Sequence, residues 1–212
     1  GTQMIADVQP GSFGSGPESA ASVGDQVYFS GSLFGVGREL FVTDGTAAGT
    51  LQVVDLSQPL VPRGIVTFGD RVVFSGVSGN GREPWISDGT AAGTFELADV
   101  RAGSGDGIGL LEENFTVAGN QVFFTANDGI HGKELWVSDG TPGGTRLVVD
   151  LVPGSSNANP SQLTAVGSWV YFVASAAGAG TELWRSDGTT NGTTLVADLQ
   201  PGLAGSFPAN LT

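Results

Sequence analysis

The sequence predicts an all-β protein of tandem four-stranded antiparallel sheets, β-propeller-like, with four full repeats plus a partial one. Three observations predict it. The 212 residues include 35 Gly and 10 Pro, which break helices and turn chains. One phrase recurs four times at spacings of 44, 51 and 48 residues, close to the ~40 to 50-residue period of propeller blades. Each recurrence follows two short apolar segments parted by a two-residue turn that begins with Gly, the mark of a tight hairpin.

The elements follow in order. First strands are expected at 20–23, 65–68, 115–118 and 163–166, ending at Gly24-Asp25, Gly69-Asp70, Gly119-Asn120 and Gly167-Ser168. Second strands at 27–30, 72–75, 122–125 and 170–174 are rich in Val, Tyr and Phe, as a pleated surface prefers. Third strands carry the recurring phrase: Glu39-Leu40-Phe41-Val42-Thr43-Asp44-Gly45-Thr46, then Glu83 to Thr90, Glu134 to Thr141 and Glu182 to Thr189. Fourth strands, such as 147–150, precede Gly-, Ser- and Pro-rich linkers that suit a step to the next sheet. In Leu135-Trp136-Val137 successive residues face opposite sides of the strand yet are all apolar, so both faces of a sheet need cover, which stacking supplies.

The chain reads as one repeat domain, 1–212, with units 1–48, 49–92, 93–143 and 144–191 and a partial unit 192–212. It opens with the tail of the phrase, Thr2 leading to Asp7, and closes on a half unit near Pro208 to Thr212. Half a sheet has too few strands to be stable alone. It is therefore expected to pair elsewhere, one option being a neighbouring copy, and head-to-tail pairing gives a ring or an open filament.

Composition narrows the function classes. Hydrophobic residues make up 40% and charged residues 14%, enough for a core and unlike a disordered chain. A formal charge of −13 repels phosphate backbones and anionic lipid, so no nucleic acid is expected as partner. Apolar runs fall far short of the ~18 residues that cross a bilayer, and no charged-then-apolar leader opens the sequence. A soluble chain without membrane insertion is expected. With zero cysteines, disulfides, thiol catalysis and Cys-ligated metals are absent.

The phrase Glu-Leu-Trp-x-Ser-Asp-Gly-Thr resembles the bacterial repeat family named for its ELWxxDGT core, which occurs in long arrays in secreted or surface proteins. The resemblance covers nearly the whole chain and implies a propeller-like fold and a secreted or cell-surface location, without a general activity. Departures are Phe41 for Trp, Pro84 for Leu, and Arg185 where the other copies have Val42, Ile86 and Val137. An Arg on a face that should be covered points to solvent or an acidic partner beside the fourth unit.

Asp44, Asp88, Asp139 and Asp187 are the leading candidate residues. An Asp before Gly-Thr accepts the backbone N–H two residues on, an Asx turn that lets Gly45, Gly89, Gly140 and Gly188 take positive φ. The alternative is Ca²⁺, for which Asp, Thr and loop carbonyls are hard oxygen ligands, although no calcium-loop motif is present; no other cofactor is expected. Asp55, Asp99, Asp150 and Asp198, each eleven residues after the phrase's Asp, are read as linker anchors. Glu39, Glu83, Glu134 and Glu182 are read as pairing with turn N–H groups or nearby Arg and Lys. Trp85, Trp136 and Trp184 are read as packing between sheets rather than as a sugar platform, Trp169 as a surface residue and His131 as a solvated loop residue. Asn114, Asn191 and Asn210 fit the glycosylation rule. Neither a Gly-x-Ser-x-Gly elbow nor a Gly-x-Gly-x-x-Gly fingerprint occurs.

These readings favour a non-enzymatic extracellular structural or adhesive module whose terminal strands join copies into a fibre. The alternative is a lectin-like or Ca²⁺-dependent propeller that binds a glycan or a surface protein.

Overall fold

The computed structural model describes residues 2–54, 58–110 and 115–211. Asp55 and Asn114 lie outside them. Apart from one 3-10 turn at Pro142–Gly144, the regular elements among the described residues are strands. Sheet 1 holds β1 (Glu18–Val23), β2 (Gln26–Leu33), β3 (Gly37–Thr43) and β4 (Leu51–Gln52); sheet 2 holds β5 (Arg63–Phe68), β6 (Arg71–Ser78), β7 (Gly81–Ser87) and β8 (Phe95–Glu96). Sheet 3 holds β9 (Thr116–Ala118), β10 (Gln121–Asn127), β11 (Lys133–Ser138) and β12 (Arg146–Val149); sheet 4 holds β13 (Ser161–Val166), β14 (Trp169–Ala176), β15 (Gly180–Ser186) and β16 (Thr194–Ala197). Each is an antiparallel meander in chain order. The boundaries 48, 92, 143 and 191 thus fall between the third and fourth strands of a sheet.

Strand alternation assigns the two faces of every sheet. In β6, Val72 and Phe74 point one way and Val73 the other, with Phe74 opposite Trp85 and Val73 opposite Ile86. Tyr28, Leu40, Val42 and Val53 of sheet 1 form one core with Val72, Phe74 and Trp85 of sheet 2. Val73, Ile86 and Leu97 of sheet 2 form the next with Val122, Phe124 and Trp136 of sheet 3. Phe123, Leu135, Val137 and Val148 of sheet 3 meet Val170 and Phe172 of sheet 4, with Trp184 against them. There is one core per junction, and the Trp of the phrase always faces back toward the preceding sheet. First strands pack in series, β1 on β5, β5 on β9 and β9 on β13. This is the inner edge of a propeller-like stack.

The two fragments at the ends behave differently from whole units. Residues 2–7 form no strand; Gln3, Ile5 and Ala6 lie instead beside Phe29, Thr43 and Thr50 of sheet 1. The segment Gly205–Leu211 is not a strand either, yet it follows the route of an inter-sheet linker. Phe207 N donates to Thr181 O at 3.1 Å as Asn159 N does to Lys133 O, and Thr164 Oγ1 donates to Leu211 O as Thr116 Oγ1 does to Leu163 O. Asn210 (φ 58°) repeats the left-handed backbone of Ser19, Gly64 and Gln162 at the entry to a first strand. The partial unit therefore occupies the entry to a fifth first-strand position without closing a sheet.

Candidate functional site

The recurring phrase folds into the same turn four times. Asp44 Oδ1 accepts Thr46 N–H at 2.8 Å and the Thr46 hydroxyl at 2.7 Å; Thr46 Oγ1 then accepts Gly49 N–H at 3.0 Å, and Thr50 Oγ1 donates to Thr46 O at 2.7 Å. Thr43 and Thr50 hydroxyls close the loop at 2.7 Å. Asp88, Asp139 and Asp187 build the same network with Thr90, Thr141 and Thr189. The side-chain and backbone hydrogen bonds from the threonine hold all four carboxyls below their usual value. Gly45, Gly89, Gly140 and Gly188 share φ near +87°. The second glycine of the phrase is required for a different reason: a Cβ at Gly49, Gly93, Gly144 or Gly192 would overlap the carboxylate of the same turn's Asp.

The four aspartates thus sit one per sheet, and among the described residues no group of three His, Cys, Asp or Glu could hold a metal ion. Each Oδ1 is engaged within its turn rather than gathered with other carboxylates.

The glutamates of the phrase are fully buried, and Glu83, Glu134 and Glu182 fasten linkers. Glu83 accepts N–H groups from Val100 at 3.0 Å, Arg101 at 3.5 Å and Gly107 at 3.0 Å, which brackets the stretch leaving sheet 2. Glu134 does the same with Leu151 at 3.2 Å and Ala158 at 3.0 Å. Burial raises both to about 7 against the bonds that favour the charged form. Glu182 accepts the Ser206 N–H at 2.6 Å and the Ser206 hydroxyl; these bonds lower it. The partners are linker N–H groups, and Asp99 and Asp150 hold Gly103 and Gly154 in the same linkers.

The remaining candidates take structural places. Trp85 and Trp136 are buried, and Trp184 is half-buried. Asp128 accepts N–H from Ile130 and His131 and meets His131 Nδ1 at 2.6 Å, a turn that raises the histidine. Asn191 and Asn210 are exposed. Arg185 is exposed, and its guanidinium lies 4.7 Å over the Trp169 ring. Trp169 is half-buried.

Sequence reasoning missed the seating of the turns at the junctions. Gly140 lies against Phe68, Arg71 and Ile86, Gly188 against Gln121, and Gly89 against the Tyr28 hydroxyl, all side chains of the preceding sheet. Arg71 Nη1 donates to Gly140 O at 3.3 Å and Arg146 Nη2 to Gly188 O at 2.9 Å. The signal lay in the residues flanking each Gly-led hairpin, which differ between repeats. Among the described residues, a Cβ on Gly45 would meet no heavy atom within 4 Å. Beside it, a groove of about 310 Å³ runs between Gln3, Ile5, Ala6 and Val8 and the outer face of sheet 1 at Phe29, Thr43 and Thr50.

No family model and no curated protein matches the chain. Among solved structures, it is similar to a puromycin hydrolase (TM-score 0.54, 15% identity, 92% of this chain and 29% of that one). It is also similar to TolB from Acinetobacter baumannii (0.52, 13%, 91% and 45%). A third counterpart is the acylaminoacyl peptidase of Pyrococcus horikoshii (0.53, 14%, 85% and 27%). The chain spans less than half the length of each. At these identities the likeness is one of fold, and the fold is a β-propeller-like array of four-stranded sheets.

Proposed function

We propose that the chain is a non-catalytic structural or adhesive repeat module that works outside the cell and joins further copies of itself end to end into a fibre. The observation that carries this reading is that the phrase's recurring chemistry is spent on scaffold. The aspartates close turns, Glu83, Glu134 and Glu182 hold linkers, and the tryptophans fill junctions. Exposed apolar side chains are most numerous at the two ends of the stack, Ile5, Phe13, Val27, Phe34 and Leu51 at one and Val166, Val196, Leu199 and Leu203 at the other, with Leu110 and Ile130 exposed between them. Apolar exposure of this kind marks interaction surfaces.

Size-exclusion with light scattering and electron microscopy over rising protein concentration test the assembly, with linear oligomers or filaments expected. A compact monomer at every concentration overturns the fibre. Labelling of intact cells with an antibody to the chain tests the location, surface or medium staining being expected; signal only after lysis overturns it.

A further inference from the structure

We propose that the outer face of sheet 4 is a socket for the Asp44-Gly45-Thr46 turn of a second copy, with Val166, Trp169 and Arg185 as its contacts. The proposal rests on the end-to-end reading above and continues an interface already built within the chain. At the junction of sheets 2 and 3, a Cβ on Gly140 would lie 2.8 Å from Phe68, 2.9 Å from Arg71 and 3.2 Å from Ile86. Phe68 ends its first strand, Arg71 opens the second, and Ile86 lies two residues before the phrase's Asp. The residues at those places on sheet 4 are Val166, Trp169 and Arg185. Val166 is 58% exposed.

The other half of the contact is equally open. Gly140 and Gly188 are buried and Gly89 is half-buried, whereas Gly45 is exposed. At two internal junctions, a guanidinium of the preceding sheet donates to the turn glycine's carbonyl. Arg185 brings a guanidinium to the same side of sheet 4, where the Gly45 carbonyl and the Asp44 carboxylate of an incoming turn complement its charge. The trailing segment borders the socket: its bonds go to Thr181, Glu182, Gln162 and Thr164, and Thr164 shares a cross-strand row with Tyr171 and Arg185, so docking of an incoming sheet 1 displaces Leu211 from Thr164.

The leading segment has a part as well. At the junction of sheets 3 and 4, Thr190 Oγ1 donates to Val148 O in the outermost strand of the preceding sheet, at 2.8 Å. On sheet 1, residues Gln3 to Val8 lie over Thr43 and Thr50 on that same side. Docking exchanges this segment for β16 of the copy that carries the socket, so the leader competes with assembly.

The test uses two full-length single variants, Ala47→Cys and Val196→Cys, which stand where Thr190 and Val148 stand at the internal junction. The chain has no other cysteine. Mixed and treated with a short thiol cross-linker, they are expected to give mainly the mixed dimer. Adding Arg185→Glu to the Val196→Cys copy lowers that yield at least about tenfold, with an unchanged circular dichroism spectrum. Deleting residues 1–8 raises it. Like-with-like dimers as abundant as mixed ones, in a chain that still forms oligomers, overturn this socket and leave the end-to-end reading standing. A chain that stays monomeric throughout overturns both.

Discussion

Sheets 2 and 3 and sheets 1 and 4 carry the same phrase in different surroundings. β6, β7, β10 and β11 are buried almost throughout, whereas β1 alternates between exposed and half-buried and β16 is mostly exposed. The glutamates Glu83 and Glu134 are pushed up to about 7 by burial, while Glu182, held by Ser206, is lowered. The difference shows that a sheet's local bonds are complete on their own but its packing belongs to its neighbours. Hairpins and turns form in sheets 1 and 4 as they do in sheets 2 and 3; what differs is how far each strand is buried.

Four substitutions, in two pairs, would break or sharpen that contrast. The largest effect is expected for Trp136→Ala, which removes a buried indole between sheets 2 and 3 and should cost about 3 to 5 kcal/mol. Trp184→Ala, at a half-buried ring, should cost roughly half as much. Urea unfolding of both variants measures it, and equal losses would mean that the terminal sheet is as well packed as the middle. Next comes Gly140→Ala, which adds left-handed strain of about 1 to 2 kcal/mol and a clash with Phe68 of similar size. Gly45→Ala adds the strain alone, so its midpoint shift should be about half that of Gly140→Ala.

The smallest effect concerns pH. Glu83 has its folded value raised from 4.5 to about 7, so the folded form holds the proton more tightly than the unfolded form. Its contribution is fully present below about 4.5 and is lost as pH rises through 7. Glu83→Gln should flatten the fall in stability between pH 5 and 8 by on the order of 1 kcal/mol, read from unfolding curves at the two pH values. Glu182→Gln should leave that slope unchanged.

Much of this was legible in the sequence because repetition tests itself. The Gly-led hairpins, the Asx turns at Asp44, Asp88, Asp139 and Asp187, and the linker bonds of Asp99 and Asp150 each depend on residues within a few positions, and local geometry dictates them. The targets of Glu83 and Glu134 lie 17 and 24 residues away, so only the donor class could be read and not the partner. The direction of Trp85 and Trp136, back toward the preceding sheet, depends on stacking order. That is a tertiary property, and alternation along the strand leaves it open. The leading strand read from Thr2 to Asp7 fails to form because a strand's partners are not local.

The buried glutamates also bear on how the array would respond to tension. Each of Glu83, Glu134 and Glu182 ties its own third strand to the stretch that departs for the next position, so pulling on the two termini would load these fastenings one after another. A repeat that let go would release roughly 48 residues, about 160 Å of extended chain, before the next took the strain. An extensible tether of that design would lengthen in discrete steps while the untouched sheets stayed folded.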